Sequence, residues 1–215
     1  TLPKIDFYAS KIGNQRIRVA DDSNKYTLPD RISGLHLANV STVLDLKLAF
    51  TKSMSLASLK DSVVRLTGEQ HVPFVDGSTD PATTDLVFRL GDLEGGGHPM
   101  SSLFAVSMLS DAGGSPNSVL HVRVQPKGDG SGQAKWRLTE DQVYHLTFAP
   151  QQSNPTDDDS NPLNLLGGEL TFDFRTATLP KIDFYASKIG NQRIRTDDAN
   201  KHVLPDHISN DNVHV

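Results

Sequence analysis

The residues best suited to chemistry in this chain are carboxylates set on loops. Asp21, Asp22 and Asn24, then Asp157, Asp158 and Asp159, and finally Asp197, Asp198 and Asn200 each gather oxygen donors within a few positions. Calcium takes about six to eight oxygens from carboxylates, amides and carbonyls on such loops, so Ca2+ is the expected cofactor. The spacing does not follow the EF-hand pattern, and Asp, Asn and Ser also populate ordinary turns. A second group is cationic and aromatic. Lys4, Tyr8, Lys11, Arg16 and Arg18 fall within one stretch, KIDFYASKIGNQRIR. Stacking and charge there suit an anionic, glycan or protein ligand. The same charges also discourage an exposed strand from pairing with other chains.

Other chemistries find little support. The eight histidines are scattered and never form the helical His-Glu-x-x-His spacing. His121 and His145 fall at outward positions of two expected strands, and we expect both exposed and unpaired. The Gly-x-Ser-x-Gly elbow of hydrolases is missing. Asp92, Glu94, Glu140 and Asp141 are acid–base candidates by residue type alone. Residues 93–100, LEGGGHPM, lack the Lys of a phosphate-binding loop and read as a flexible connection. The absence of cysteine excludes thiolate catalysis, disulfides and Cys-based zinc sites. We therefore expect no enzyme.

The elements that position these residues follow a period of two. Leu44, Leu46, Leu48 and Phe50 alternate with polar or small residues. Leu86, Phe88 and Leu90 do the same, as do Leu120, Val122 and Val124. Tyr144, Leu146 and Phe148, then Leu170, Phe172 and Phe174, complete the set. Each run predicts a strand with one face in a core and the other toward water. Weaker strands are expected at residues 63–66, 104–109 and 135–138, and another at 5–9 followed by a turn at Gly13-Asn14. Residues 53–62 predict a short helix or a loop, Trp136 a core residue, and the polar stretch 151–164 a long exposed loop. With 16 Gly and 12 Pro among 215 residues, many short elements are favoured over long helices. The fold class that follows is all-β: an antiparallel β-sandwich, immunoglobulin-like or jelly-roll-like, with few or no helices.

The largest regularity is a duplication. Residues 1–18, TLPKIDFYASKIGNQRIR, recur letter for letter at 178–195, an offset of 177 residues. The likeness continues through residues 19–33 and 196–209 with one gap, keeping Leu-Pro-Asp (28–30 and 204–206) and Ile-Ser (32–33 and 208–209). A domain-sized period suggests beads on a string rather than a solenoid. The expected division is 1–34 as a repeated hairpin and linker, 35–177 as the main sandwich, and 178–215 as the next repeat's start or a swapped strand.

The expected function is a structural or adhesive module of a large tandem-repeat extracellular or surface protein, stiffened by calcium at the junction. Two alternatives stand beside it: a self-assembling viral or appendage subunit using terminal strand exchange, and a carbohydrate-binding or glycoside-active sandwich. The expected partner is a neighbouring repeat of the same chain or an identical chain. The net charge of −5 argues against nucleic acid, no apolar run is long enough for a membrane span, and no targeting segment is visible. Asn39-Val40-Ser41 forms a glycosylation sequon.

Overall fold

The computed structural model describes residues 1–20, 23–27, 37–68, 75–76, 85–94, 97–126, 128–130, 133–151, 154–165, 168–178, 186–194, 199 and 201–202. It divides into two compact units, Thr1–Ala177 and Thr178–Val215.

Among its described residues the first unit holds eleven strands. They are β1 (Ile5–Ile12), β2 (Gln15–Arg16), β3 (Asp45–Phe50), β4 (Val63–Gly68), β5 (Val75–Asp76), β6 (Asp85–Arg89), β7 (Phe104–Leu109), β8 (Val119–Val124), β9 (Trp136–Arg137), β10 (Val143–Ala149) and β11 (Leu170–Arg175). Two antiparallel sheets result, one in the order β2-β1-β3-β8-β7 and the other β11-β10-β4-β6. The short pair β5-β9 stands beside them. One helical turn, α1 (Leu56–Leu59), and two 3-10 turns at Leu90–Leu93 and Pro99–Ser102 complete the described elements. The fold is all-β, consistent with a sandwich.

The alternating residues named from sequence are the core. Leu46, Leu48, Leu120, Val122, Tyr144, Leu146, Phe148 and Phe174 are fully buried, and Leu44, Phe50, Leu86, Phe88, Val124, Leu170 and Phe172 nearly so. Every second residue of a half-buried strand points one way, so the pattern selects the inner face. Phe88 of β6 stacks on Phe104 of β7 with ring centroids 5.2 Å apart, which ties one sheet to the other. Trp136 meets Phe104 edge-on, also at 5.2 Å, and lies in the core as expected.

Residues 1–34 contribute β1 and β2 to the five-stranded sheet, with β1 beside β3. Two expectations need correction. The stretch 151–164 is not simply an exposed loop, since Pro155, Asp157 and Leu163 are buried. Residues 93–100 are not a plain loop either, because 3-10 turns flank positions 95–96.

The second unit contains one described hairpin, β12 (Lys188–Ile189) and β13 (Gln192–Arg193). Its register, Lys188 with Arg193 and Ile189 with Gln192, repeats that of β1-β2, Lys11 with Arg16 and Ile12 with Gln15.

Candidate functional site

The duplicated segment builds one side of the first sheet, and its side chains explain how. Ile5 pairs with Phe50 and Asp6 with Ala49, but Lys11 pairs with Lys47 and Ile12 with Leu46. Between these pairs β1 holds more residues than β3, so the strand bulges. The bulge is closed by local hydrogen bonds. The Asp6 carboxylate accepts from the backbone N–H of Tyr8 (3.0 Å) and of Ala9 (2.9 Å). The buried Ser10 hydroxyl donates to the Asp6 carbonyl (2.7 Å) and accepts from the Ala49 N–H (2.9 Å), filling the place of a lost ladder bond. The bulge also shifts the inward parity. Ile5 and Phe7 face the core before it, and Ser10 and Ile12 after it.

Gly13 (φ +55°) then turns the chain, a conformation glycine adopts without a Cβ penalty. The returning segment covers the edge of β1. Ile17 donates to the Ser10 carbonyl, Arg18 to the Phe7 carbonyl, and Phe7 to the Lys25 carbonyl, at 3.0, 2.9 and 2.9 Å. Ile5, Phe7, Ile12 and Ile17 are all buried. At about 1.5–3 kcal/mol for each such side chain, this segment carries a substantial part of the unit's apolar burial.

The cationic set named from sequence is distributed over this surface. The Arg16 guanidinium lies over the Tyr8 ring, 4.1 Å from its centroid, and donates to the Tyr8 carbonyl (3.0 Å). Lys4 lies over Tyr26 at 5.3 Å. Arg18 donates to the Thr27 carbonyl (3.2 Å). Lys11 continues a row across the outward face, in register with Arg16 on one side and with Lys47 and then His121 on the other. Asp45, 2.9 Å from the His121 ring and 3.8 Å from Lys47, supplies negative charge to that row. Thus Lys4, Arg16 and Arg18 hold the folded-back segment together. Sequence reasoning missed Tyr26, Lys47 and Asp45, because their relation to β1 depends on chain return and strand order. A cleft of about 200 Å³ opens between β1 and β11, with Ile5, Phe7, Leu165 and Leu170 among its walls beside Tyr26, Thr27, Asn164 and Glu169.

The acidic sites divide. Asp21, Asp22, Asp197, Asp198 and Asn200 lie outside the described residues. Asn24 is exposed in a turn where its carbonyl accepts from Thr27 N–H at 2.8 Å. Asp157 is buried, and donors surround its carboxylate. One oxygen accepts from Asp159 N–H (3.0 Å), Asn161 N–H (2.7 Å) and the Asn161 side-chain amide (3.1 Å). The other accepts from the same amide (3.0 Å) and from the Lys52 ammonium (3.1 Å). Burial alone would raise this carboxyl's pKa, but the Asn161 and Lys52 donors outweigh it and lower it from 3.8 to about 2. With both oxygens engaged and a cation beside them, Asp157 organises the 156–162 turn. Asp158 and Asp159 are exposed. Among the described residues, no three His, Asp or Glu side chains stand together in a group able to hold a metal ion.

The two central histidines are not unpaired, as the sequence suggested. They lie in different sheets, and each meets an aspartate on a neighbouring strand. His121 is 2.9 Å from Asp45, and His145 is 2.6 Å from Asp173. The carboxylates considered for acid–base work are also engaged. Asp92 accepts from Arg89 N–H (3.0 Å), Glu94 pairs with Lys60 (2.6 Å), and Asp141 lies 3.4 Å from Arg175. Among the described residues, no helix is long and apolar enough to cross a membrane. No protein-family model, curated protein or solved structure matches the chain.

Proposed function

We propose that this chain is a non-enzymatic structural module, one bead of a tandem array in a large extracellular or surface protein. One observation carries the reading. The first compact unit ends at Ala177, and the copied sequence begins at Thr178. The structural length of a bead and the sequence period therefore coincide. Within the bead, residues 1–18 form β1 and β2 and close one side of a sheet. Their copy is placed to do the same for a following bead. Such a chain works by extension and multiplicity: each bead holds its own core, and repeated weak contacts add along the array. Any adhesive contact would use the outward faces. The row Arg16, Lys11 and Lys47 gathers three cationic side chains on one outward face, and an acidic glycan or acidic protein segment suits it.

The test is to complete the second bead. Extending the chain beyond Val215 with residues 40–177 supplies the strands that the copy lacks. Stretched singly, the extended chain is expected to give two unfolding events of equal contour length. At about 3.3–3.6 Å per residue, each releases about 600 Å less the folded span. A single event, with the added residues contributing no resistance, would overturn the proposal.

A further inference from the structure

We propose that the place of β1 beside β3 is an exchangeable slot, and that residues 178–195 of a second copy of this chain can fill it. The proposal does not rest on the array reading. It stands on the identity of the two segments and on the way the first is seated.

The inward residues of β1 and its turn each have a counterpart 177 positions later. Ile5, Phe7, Ser10, Ile12, Gly13 and Ile17 become Ile182, Phe184, Ser187, Ile189, Gly190 and Ile194. The slot itself is the edge of β3, residues Asp45–Phe50, with Ala49 N–H presented to the serine hydroxyl. An identical segment has an identical intrinsic affinity for that edge. Where it is described, the second copy already forms the turn that ends β1. Its hairpin has the same register, Gly190 has φ +61° against +55° at Gly13, and Ile194 donates to the Ser187 carbonyl at 3.0 Å as Ile17 does to Ser10. A preformed turn lowers the ordering cost of binding. The slot leaves a way in for the connecting chain. Thr1 and Leu2 are exposed, so a segment continuing backward from position 1, as the copy does through Ala177, meets solvent. Main-chain pairing gives affinity and the inward side chains give specificity, the logic of strand addition at a sheet edge.

The resident strand holds one advantage, its tether. A short tether acts as an effective concentration on the order of 1 mM, so at about 0.1 mM chain roughly a tenth of slots hold the second molecule's segment. Exchange thus links beads of different chains when they are crowded and leaves dilute chains monomeric.

The chain has no cysteine, so trapping is clean. Lys11 stands opposite Lys47, and the equivalent of Lys11 in the copy is Lys188. Directly opposed residues on antiparallel strands have Cα atoms about 4.5–5.5 Å apart, within disulfide range. A full-length chain carrying Lys47→Cys is mixed with one carrying Lys188→Cys and oxidised with glutathione disulfide. Peptide mass mapping then measures the 47–188 disulfide, which in this mixture can only join two molecules. Its yield is expected to exceed by about tenfold that of an Arg123→Cys chain mixed with the same partner, and to rise with concentration. A yield equal to that control overturns the proposal. So does a chain carrying both substitutions whose 47–188 disulfide is confined to monomers, because its own copy then fills the slot. Either failure leaves the bead reading standing, since that is decided by unfolding the extended chain.

Discussion

Ser10 and Ser187 are the same residue in the same eighteen-residue sequence, yet the fold gives them different surroundings, and this difference has a measurable size. Ser10 is fully buried; Ser187 is half-buried. Ser10→Ala removes a hydroxyl that accepts from Ala49 N–H and donates to the Asp6 carbonyl. Ala49 is itself buried on an inner strand, so its N–H would lose its partner away from water. An unsatisfied buried polar group costs about 1–3 kcal/mol, and the Asp6 carbonyl adds less because Asp6 is only half-buried. The sum is about 2–4 kcal/mol. For a unit of this size, about 2–4 °C of midpoint accompanies each kcal/mol, which predicts a fall of about 5–15 °C. Ser187→Ala should cost clearly less, because Ser187 is only half-buried. Thermal unfolding followed by circular dichroism at about 5 µM chain measures both, a concentration at which the tethered strand outcompetes exchange. Equal shifts for the two variants, or no shift for Ser10→Ala, would show that the Ser10 hydroxyl does not replace a ladder bond.

Two further outcomes follow from particular contacts. Asp157 has a carboxyl held at about 2 in the folded chain against 3.8 ordinarily, so its contribution to stability is complete above about pH 4 and lost as pH falls toward 2. In urea titrations, the stability gap between the parent and Asp157→Asn should therefore narrow across that interval; a gap constant from pH 7 to pH 2 contradicts the assignment. The buried Tyr144 hydroxyl accepts from Thr139 N–H at 3.0 Å, and Tyr144→Phe should cost about 1–2 kcal/mol by urea unfolding at neutral pH, while an unchanged midpoint would show that this bond contributes nothing.

Much of the fold was legible because strand alternation is a local signal. Leu44 to Phe50 and Tyr144 to Phe148 bury every second residue as their pattern requires. The turn at Gly13 was legible for the same reason, since glycine there meets the demand for positive φ. Strand order was not. Nothing in the sequence of β1 names β3 as its neighbour, because that pairing joins residues some forty positions apart through a core they share. The bulge was hidden too. Ser10 lies just past the strand expected at 5–9, and nothing local marks its hydroxyl as the replacement for a ladder bond. The surroundings of Asp157 were hidden for a chemical reason. Nothing in a run of aspartates says which of them turns inward to collect N–H donors and a lysine. The histidines were misjudged because a partner on the next strand is visible only once the register is known.

The duplication gains most from the structure, because the copy begins where the first compact unit ends. The central claim is that Thr1–Ala177 is a complete bead and that residues 178–215 belong to another. The direct measurement is the thermal unfolding of residues 1–177 alone beside the full chain, at matched low concentration. One cooperative transition is expected, with a midpoint within about 2 °C of the parent's, since no part of the first core is removed. Loss of that transition, or a midpoint lowered by 10 °C or more, as removal of several buried side chains would produce, would contradict it.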